Sequence, residues 1–406
     1  MHILLIHQAF ASLSEAGGTR HHELARYLAA RGCRVTIITS PVSYLTGSQR
    51  GQAKWVQQEQ DGDNITILRT YTYPALHRSF IHRLFSFFSF MVSSFVEGLK
   101  VRQVTLVWGT SPPIFQGITA WVLARLKGVP FLFEVRDLWP AFAVGVGVLR
   151  QPLIIRAAEW LESFLYRHAD RMIVNSPGYI EHVTHRGARQ VDLIPNAADP
   201  DVFDPLADGA SFRQKHHLES KFVALYAGAH GMSNDLQVVL QAAQYLRSRE
   251  DIVLVLLGDG KEKPALIAQA AEMGLTNLLF IPPVTKQEMP QALAAADACI
   301  AILKPIPLYK TTYPNKVFDY LAAGRPVVLA IDGVIRVVIE SAGAGIAVEP
   351  GNPAAMAQAI ATLADDRTAA RAMGQAGRIY LEKHFSRSDL AAKLWELLKS
   401  MEKADA

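Results

Sequence analysis

Short, predominantly apolar runs alternate with longer segments of helical periodicity along nearly the whole chain, and this alternation constrains the fold more than any other feature. Runs at His2–His7, Arg34–Thr39, Ile65–Thr70, Val104–Trp108, Phe131–Val135, Arg171–Asn175 and Gln190–Ile194 read as strands. Between them Thr19–Arg31, Ile114–Lys127 and Leu153–His168 repeat apolar residues at helical spacing. A second series begins near Phe222, with strands at Phe222–Tyr226, Ile252–Leu257, Leu278–Ile281, Ala298–Ala301, Pro326–Ala330 and Gly345–Val348. Its helices are Leu236–Arg247, Lys263–Met273, Gln287–Ala295, Asn315–Ala323 and Pro353–Leu363. Strands that lack polar alternation are buried on both faces, as in a parallel sheet between two helical layers. Two series predict two Rossmann-like α/β domains.

The boundary falls in Pro195–Ser220, where Asn196, Asp199-Pro200 and Asp204-Pro205 are turn chemistry without apolar periodicity. With 41 basic and 37 acidic side chains the net charge is +4, too mild for a nucleic-acid partner unless it clusters. Cys33 and Cys299 stand alone, which suits a reducing cytoplasm and argues against a disulfide or zinc scaffold. Met1–His7 reads as a buried first strand rather than a signal peptide. The uncharged run Gln103–Ala124 is broken by Gly109, Pro112-Pro113 and Gly117, so no membrane span is expected.

In open parallel sheets ligands bind beyond the carboxyl ends of strands, and with two domains the expected site is the cleft between them. After the first strand, Ala16-Gly17-Gly18-Thr19-Arg20 opens a helix. Paired glycines allow close backbone approach, the helix N-terminus favours phosphate, and Thr19 is the expected N-cap. A flexible loop is the alternative. Tyr226–Asn234, containing Gly228, His230 and Gly231, repeats the device in the second series, with Ser233 or Asn234 as cap. Gly258-Asp259-Gly260 also follows a strand. Neither domain carries a full G-x-G-x-x-G, which disfavours a dehydrogenase. Phe133–Pro140 brings Glu134, Arg136, Asp137 and Trp139 to a strand end, where a carboxylate can act as base or orient a hydroxyl. Asp137 is the first choice and Glu134 the second, with an Arg–Asp ion pair as the alternative.

Tyr313–Val328 is the most informative stretch. Pro314 and Asn315 start a helix, and Lys316 sits in its first turn, where the helix dipole disfavours a cation unless an anion is near. Asp319 shares a face with Asn315 and is placed to accept both hydroxyls of a ribose. No metal is expected. Asp61-Gly62-Asp63 reads as a turn, and His21-His22 and His182/His185 lack partners at ligand spacing.

Taken in order, Ser111-Pro112-Pro113, Arg136-Asp137-Leu138-Trp139-Pro140, Pro195-Asn196-Ala197 and Pro314–Val328 resemble the retaining GT-B glycosyltransferases of family 4. The similarity is to their WbuB-like, O-antigen and exopolysaccharide branch. The resemblance implies a GT-B fold, with an acceptor-binding domain over residues 1–200 and a nucleotide-sugar domain over 201–385. It also implies a terminal segment, 386–406, that packs back on the first domain. A nucleotide sugar such as a UDP-sugar would be the donor, and a polyprenyl-diphosphate-linked or saccharide acceptor would receive the sugar without a metal cofactor. Asp319 matches the family's ribose-binding acid. Thr311 stands where the preceding acid is usual, and Ala229 and Asn234 stand where Arg and Lys are usual. Lys316 and Lys304 are the substitutes expected for them. Gly17, Gly18, Gly228, His230, Gly231, Gly258, Gly260 and Asn315 complete the expected donor site, and Arg20, Arg136 and Trp139 the acceptor site. A non-hydrolysing sugar-nucleotide epimerase and a catalytically silent nucleotide-sugar binder are the alternatives.

Residues 77–100 form a strongly amphipathic segment with Phe80, Ile81, Leu84, Phe85, Phe88, Met91, Val92, Phe95, Val96 and Leu99 on one side. Phe87 and Phe90 fall outside that stripe and are expected to face a membrane, with Arg78, Arg83, Lys100 and Arg102 flanking them; a helix of the N-terminal core is the alternative. The expected location is cytoplasmic, with peripheral contact at the inner membrane face.

Overall fold

Both series of apolar runs form parallel sheets. A computed structural model describes residues 1–43, 47–51, 54–74 and 80–404, which divide into two units. The first comprises Met1–Leu13, Gly17–Pro195 and Ser388–Ala406, and the second comprises Ser14–Ala16 and Asn196–Arg387.

The strands of the first unit are β1 (His2–Ile6), β2 (Arg34–Thr39), β3 (Val56–Asp61), β4 (Ile65–Thr70), β5 (Leu106–Ser111), β6 (Phe131–Val135), β7 (Arg171–Val174) and β8 (Val191–Leu193). Among the described residues they lie in the order β3-β4-β2-β1-β5-β6-β7-β8. Ile3 of β1 pairs with Val35 on one side and Leu106 on the other. The order reverses direction between β1 and β5, so loops leaving those strands diverge and open a crevice at their carboxyl ends. All neighbours are parallel except β3 and β4, a hairpin whose outer strand Val56–Asp61 is almost entirely polar and so leaves no apolar run in the sequence. Asp61 and Gly62 lie at its turn, and Asp61 Oδ2 bonds His22 Nε2 at 2.6 Å. Among the described residues no group of three or more His, Cys, Asp or Glu is placed to hold a metal ion.

The second unit has β9 (Phe222–Ala227), β10 (Ile252–Leu257), β11 (Leu278–Ile281), β12 (Ala298–Ile302), β13 (Val327–Ala330) and β14 (Gly345–Ala347), ordered β11-β10-β9-β12-β13-β14. All pair in parallel, and their switch point lies between β9 and β12.

Three helices of the first unit matter here: α1 (Arg20–Ala29), α2 (Phe80–Lys100) and α3 (Phe115–Lys127). Thr19 stands at the N-cap of α1, but its hydroxyl bonds Glu23 Oε1 at 2.5 Å instead of capping the backbone. The terminal helix runs over Arg387–Ala404. Ala391, Leu394, Leu397 and Leu398 of that helix join Ile3, Leu5, Leu28 and Ile37 in one buried cluster.

α2 packs with the face opposite to the expected one. Ser86, Ser93, Ser94 and Glu97 are buried, whereas Phe85, Phe88 and Val92 remain 59%, 50% and 60% exposed. Phe90 is buried and Phe87 packs on Phe115 at 5.7 Å between ring centroids, so neither supplies the outer surface. Ser93 and Ser94 tolerate burial because their hydroxyls bond backbone carbonyls one turn back, at Phe90 and Met91, whereas Ser86 Oγ is buried without a partner among the described residues. Ser93 Oγ also reaches the Tyr71 carbonyl at 2.6 Å, and Trp55 Nε1 donates to Glu97 Oε1 at 2.6 Å. Small side chains let α2 approach α3 closely; a Cβ at Gly98 would lie 2.5 Å from Leu123 Cδ1. Residues 77–79 of the expected segment lie outside the described residues. No described helix is long and apolar enough to cross a membrane.

The terminal helix is thus part of a core, and its loss is measurable. Leu394→Ala should lower unfolding stability by about 2–5 kcal/mol in urea titrations, while exposed Glu396→Ala should stay within ~0.5 kcal/mol. Equal effects of the two would show that the helix is not integral to the first unit.

Candidate active site

In the first unit the loops after β1, β5 and β6 meet at the carboxyl edge of the sheet. Glu134, on β6, is fully buried; its oxygens take Arg20 Nε at 2.9 Å and His21 Nε2 at 2.6 Å. Burial alone would raise this carboxyl, but His21 and Arg20 outweigh it and hold it well below the usual carboxylate range. Arg20 also donates to the Pro195 and Ile194 carbonyls, each at 2.7 Å. The expected acceptor contact at Arg20 is therefore replaced by a structural one, and Glu134 is occupied rather than offered as a base. His7, read from sequence only as a strand end, is buried against His21 with ring centroids 4.3 Å apart. Neither of its ring nitrogens has a partner among the described residues. Burial, then Arg136 and His21, push it well below the ordinary histidine value.

Asp137 differs from Glu134. Its backbone carbonyl accepts from Trp139 N at 2.9 Å, but its carboxylate has no hydrogen bond or ion pair among the described residues. Burial raises it to about 6, against the opposing pull of Arg136. Arg136 is held by its own N–H on the Ser111 carbonyl at 3.0 Å and by Nη2 on the Pro112 carbonyl at 3.1 Å. The Trp139 ring meets Phe115 edge-on at 5.6 Å. Gly17 has a φ of 146°, while a Cβ at Gly18 would meet nothing within 4 Å.

In the second unit the loops after β9 and β10 interlock through glycine. Gly228 has a φ of 153°, and a Cβ there would stand 2.9 Å from Lys316 Nζ; a Cβ at Gly258 would be 1.8 Å from the Gly228 carbonyl oxygen. His230 lies between these loops: its N–H donates to the Asp259 carbonyl at 2.7 Å and its carbonyl accepts from Glu262 N at 2.9 Å. Both ring nitrogens are buried without partners among the described residues, and burial followed by Lys263 lowers its pKa to about 4. A Cβ at Gly260 would lie 2.5 Å from the His230 oxygen, so Gly260 completes the interlock. Gly231 precedes the short turn Met232–Asn234, and Asp235, with a φ of 45°, stands at the N-cap of α4 (Leu236–Tyr245) in place of the expected caps. Ser233 Oγ instead accepts from Tyr309 OH at 2.6 Å, and its carbonyl accepts from Lys304 N at 3.0 Å.

Lys316 occupies the first turn of α5 (Asn315–Ala322), beyond β12. Its ammonium donates to Tyr226 OH at 2.6 Å and Asn234 Oδ1 at 3.2 Å, and lies 3.9 Å from the Tyr226 ring centroid. These neighbours are neutral, and no carboxylate pairs with it among the described residues. Burial lowers its pKa to about 7. Asn315 Oδ1 is buried without a partner among the described residues. One turn on, Asp319 Oδ1 accepts from Lys286 Nζ at 2.6 Å. Lys286 carried no signal in sequence; it follows β11 and also lies 5.2 Å from the Phe203 ring centroid. Thr311 Oγ1 donates to the Leu308 carbonyl at 2.6 Å. Lys304 lies near Asp235, whose carboxyl burial raises against the opposing pull of Lys304.

Two family models match the chain, the Glycosyl transferase 4-like domain over residues 16–197 and Glycosyl transferases group 1 over residues 221–366. The chain is similar to the colanic acid biosynthesis glycosyl transferase WcaI of Escherichia coli K12, with 26% identity over 322 residues, 76% of this chain and 78% of that protein. Among solved structures it is similar to sucrose-phosphate synthase from Thermosynechococcus elongatus, with a TM-score of 0.79, 18% identity and 99% of each chain covered. It is also similar to Anabaena HepE in complex with UDP-glucose, with a TM-score of 0.72, 16% identity and coverage of 98% of this chain and 100% of that one. The structural likeness identifies the fold as GT-B.

The Asp137 environment has a pH signature. Its folded value of about 6 lies above the ~3.9 of an unfolded chain, so the folded state binds the proton more tightly. Ionising it costs stability that is absent below about pH 4 and fully present above about pH 6. Asp137→Asn removes that cost, so its stability advantage over wild type should grow between those limits in urea titrations. A difference that does not vary with pH would show an unperturbed carboxyl.

Proposed function

This chain is a GT4-family glycosyltransferase of GT-B fold, and from that premise we propose that it is a retaining enzyme using a nucleotide diphosphate sugar. The donor is a UDP-sugar in this reading, in keeping with the UDP-glucose in the HepE structure. The acceptor is lipid-linked or a glycan, in surface polysaccharide synthesis of the O-antigen and exopolysaccharide (WbuB-like) type, in keeping with the name of WcaI.

Lys316 carries the proposal. A partly buried ammonium held only by neutral groups, beside two interlocked glycine loops, lacks a counter-charge that an arriving diphosphate supplies. The N-terminal N–H groups of α5 add to this attraction. Asp319 takes the ribose hydroxyls, with Lys286 holding its other side. During transfer the bond from the sugar to the diphosphate breaks and the bond to the acceptor oxygen forms on the same face. The acceptor proton passes to the departing phosphate, whose charge Lys316 stabilises. Asp137 orients the acceptor hydroxyl. No enzymic nucleophile enters this scheme, which suits Thr311 at the position where family members carry an acid. Contact with the inner face of the cytoplasmic membrane is part of the same reading, supported by the exposed Phe85, Phe88 and Val92 and by Lys100 and Arg102 near one end of α2.

UDP titrations in a calorimeter test the donor site. Asp319→Ala and Lys316→Met should each weaken UDP roughly tenfold or more, as expected for lost charge-assisted bonds. Near pH 7.5 wild-type binding should take up protons at Lys316, making the measured heat depend on the buffer, and Lys316→Met should abolish that dependence. Wild-type affinity in Asp319→Ala would remove the ribose assignment. Turnover should also survive EDTA; loss on chelation with recovery on adding Mg²⁺ or Mn²⁺ would overturn the metal-free scheme.

A further inference from the structure

A cavity of about 500 Å³ opens at the amino edge of the first sheet. Pro130, Arg171 and Gln190, at the starts of β6, β7 and β8, line it with Arg125, Asp170 and, from the terminal helix, Met401. Asp170 Oδ2 accepts the N–H of Phe131, the first residue of β6, at 2.8 Å. Asp137 lies beyond the last residue of that strand, so the length of β6, at ~3.3 Å per residue, sets the cavity roughly 15 Å from the Asp137 loop. A ligand here is not the group that reacts. The helix Pro152–His168 leads to the same edge. Trp160 is 68% exposed and lies over Phe164 with ring centroids 5.5 Å apart and planes at 23°, and Phe164 meets His168 at 4.2 Å. Spacing of four residues advances each ring about 6 Å along the helix. His168 Nδ1 donates to the Phe164 carbonyl at 2.7 Å, which fixes the last ring, and the His168 carbonyl accepts from Arg125 Nη2 at 3.2 Å. The rings thus run down to a side chain that lines the cavity.

The electron-rich faces of rings in a row suit the C–H faces of successive sugars, and planar polar side chains at the end of such a row suit hydroxyls and carboxylates. The charges select among glycans. Arg171 is matched by Asp192 at 2.6 Å, and Glu159, beside Trp160, by Arg186 at 3.0 Å. Arg125 reaches Asp170 only at 3.5 Å with both half exposed, and Arg167 has no ion pair among the described residues. The open end is therefore net cationic. A bilayer is the poorer fit, because it would rest on the rings and leave the polar cavity beyond them unused. We propose that Trp160, Phe164, His168 and Arg125 form a second carbohydrate site, which holds an acidic, uronate-bearing glycan strand away from the reacting end. This goes beyond the transferase reading, since it concerns the opposite edge of the first sheet and requires no turnover.

Calorimetric titration of the full-length protein with hexagalacturonate tests the site, with maltohexaose as the uncharged probe. Hexagalacturonate should bind saturably and more tightly than maltohexaose. Trp160→Ala should weaken it roughly tenfold, as expected for one lost stacking surface, and Trp160→Phe should restore most of the loss. Arg125→Gln should narrow the preference for the charged probe. UDP affinity should be the same in Trp160→Ala as in wild type, which shows the variant folded. Asp319→Ala should leave hexagalacturonate affinity unchanged, so the donor assignment and this site fail separately. Absence of saturable hexagalacturonate binding, equal affinity for maltohexaose, wild-type affinity in Trp160→Ala, or loss of binding in Asp319→Ala would overturn the proposal.

Discussion

The buried ion pair of Arg20 with Glu134 fixes the first unit's working edge. Arg20 is the first residue of α1, Glu134 sits on β6, and the same guanidinium holds the Ile194 and Pro195 carbonyls just after β8. One side chain thus ties a helix start and two strand ends that lie far apart in sequence. A buried charge deprived of its partner is strongly unfavourable, so these parts are held together or not at all. Asp137 lies three residues beyond Glu134 and inherits that fixed origin. The pair keeps Glu134 ionised and inert, while Asp137, buried without such partners, keeps a raised pKa and an open valence.

Both α/β units were readable in the sequence because buried parallel strands leave continuous apolar runs, and most observed strands fall within a residue or two of the expected ones. β5 departs further, running on through Gly109, Thr110 and Ser111 to the Pro112 turn. The polar strand β3 was not readable, since its residues pair through backbone and bury little. The face of α2 was misjudged for a related reason: periodicity reports that two faces differ, not which one is inside. Serines that satisfy their hydroxyls on their own helix can occupy the core, and that accounting is invisible without coordinates.

For the site, residue types were legible and partnerships were not. Lys316 stood out because a cation in a first turn is unfavourable, and the structure adds Tyr226 and Asn234 as its only hydrogen-bond partners among the described residues. Arg20 looked like a ligand contact because it follows paired glycines, yet the carbonyls that consume it are more than 170 residues away. His7 and His230 each follow the first strand of their unit and each have buried nitrogens without partners. A histidine ending a wholly apolar strand was the available signal for His7. Lys286 had none, because only the turn after β11 brings it to Asp319.

The hairpin of β3 on β4 has a consequence for how the protein behaves in a crowded cell. A parallel sheet otherwise ends in a row of unpaired backbone groups that invites a strand from another molecule. Here the outermost strand reads Val56-Gln57-Gln58-Glu59-Gln60-Asp61, runs against its neighbour, and places Glu59 on the guanidinium of Arg69. A foreign strand docking on it would gain hydrogen bonds but find no apolar face to share. The edge that looked structureless in sequence therefore keeps the first sheet finite.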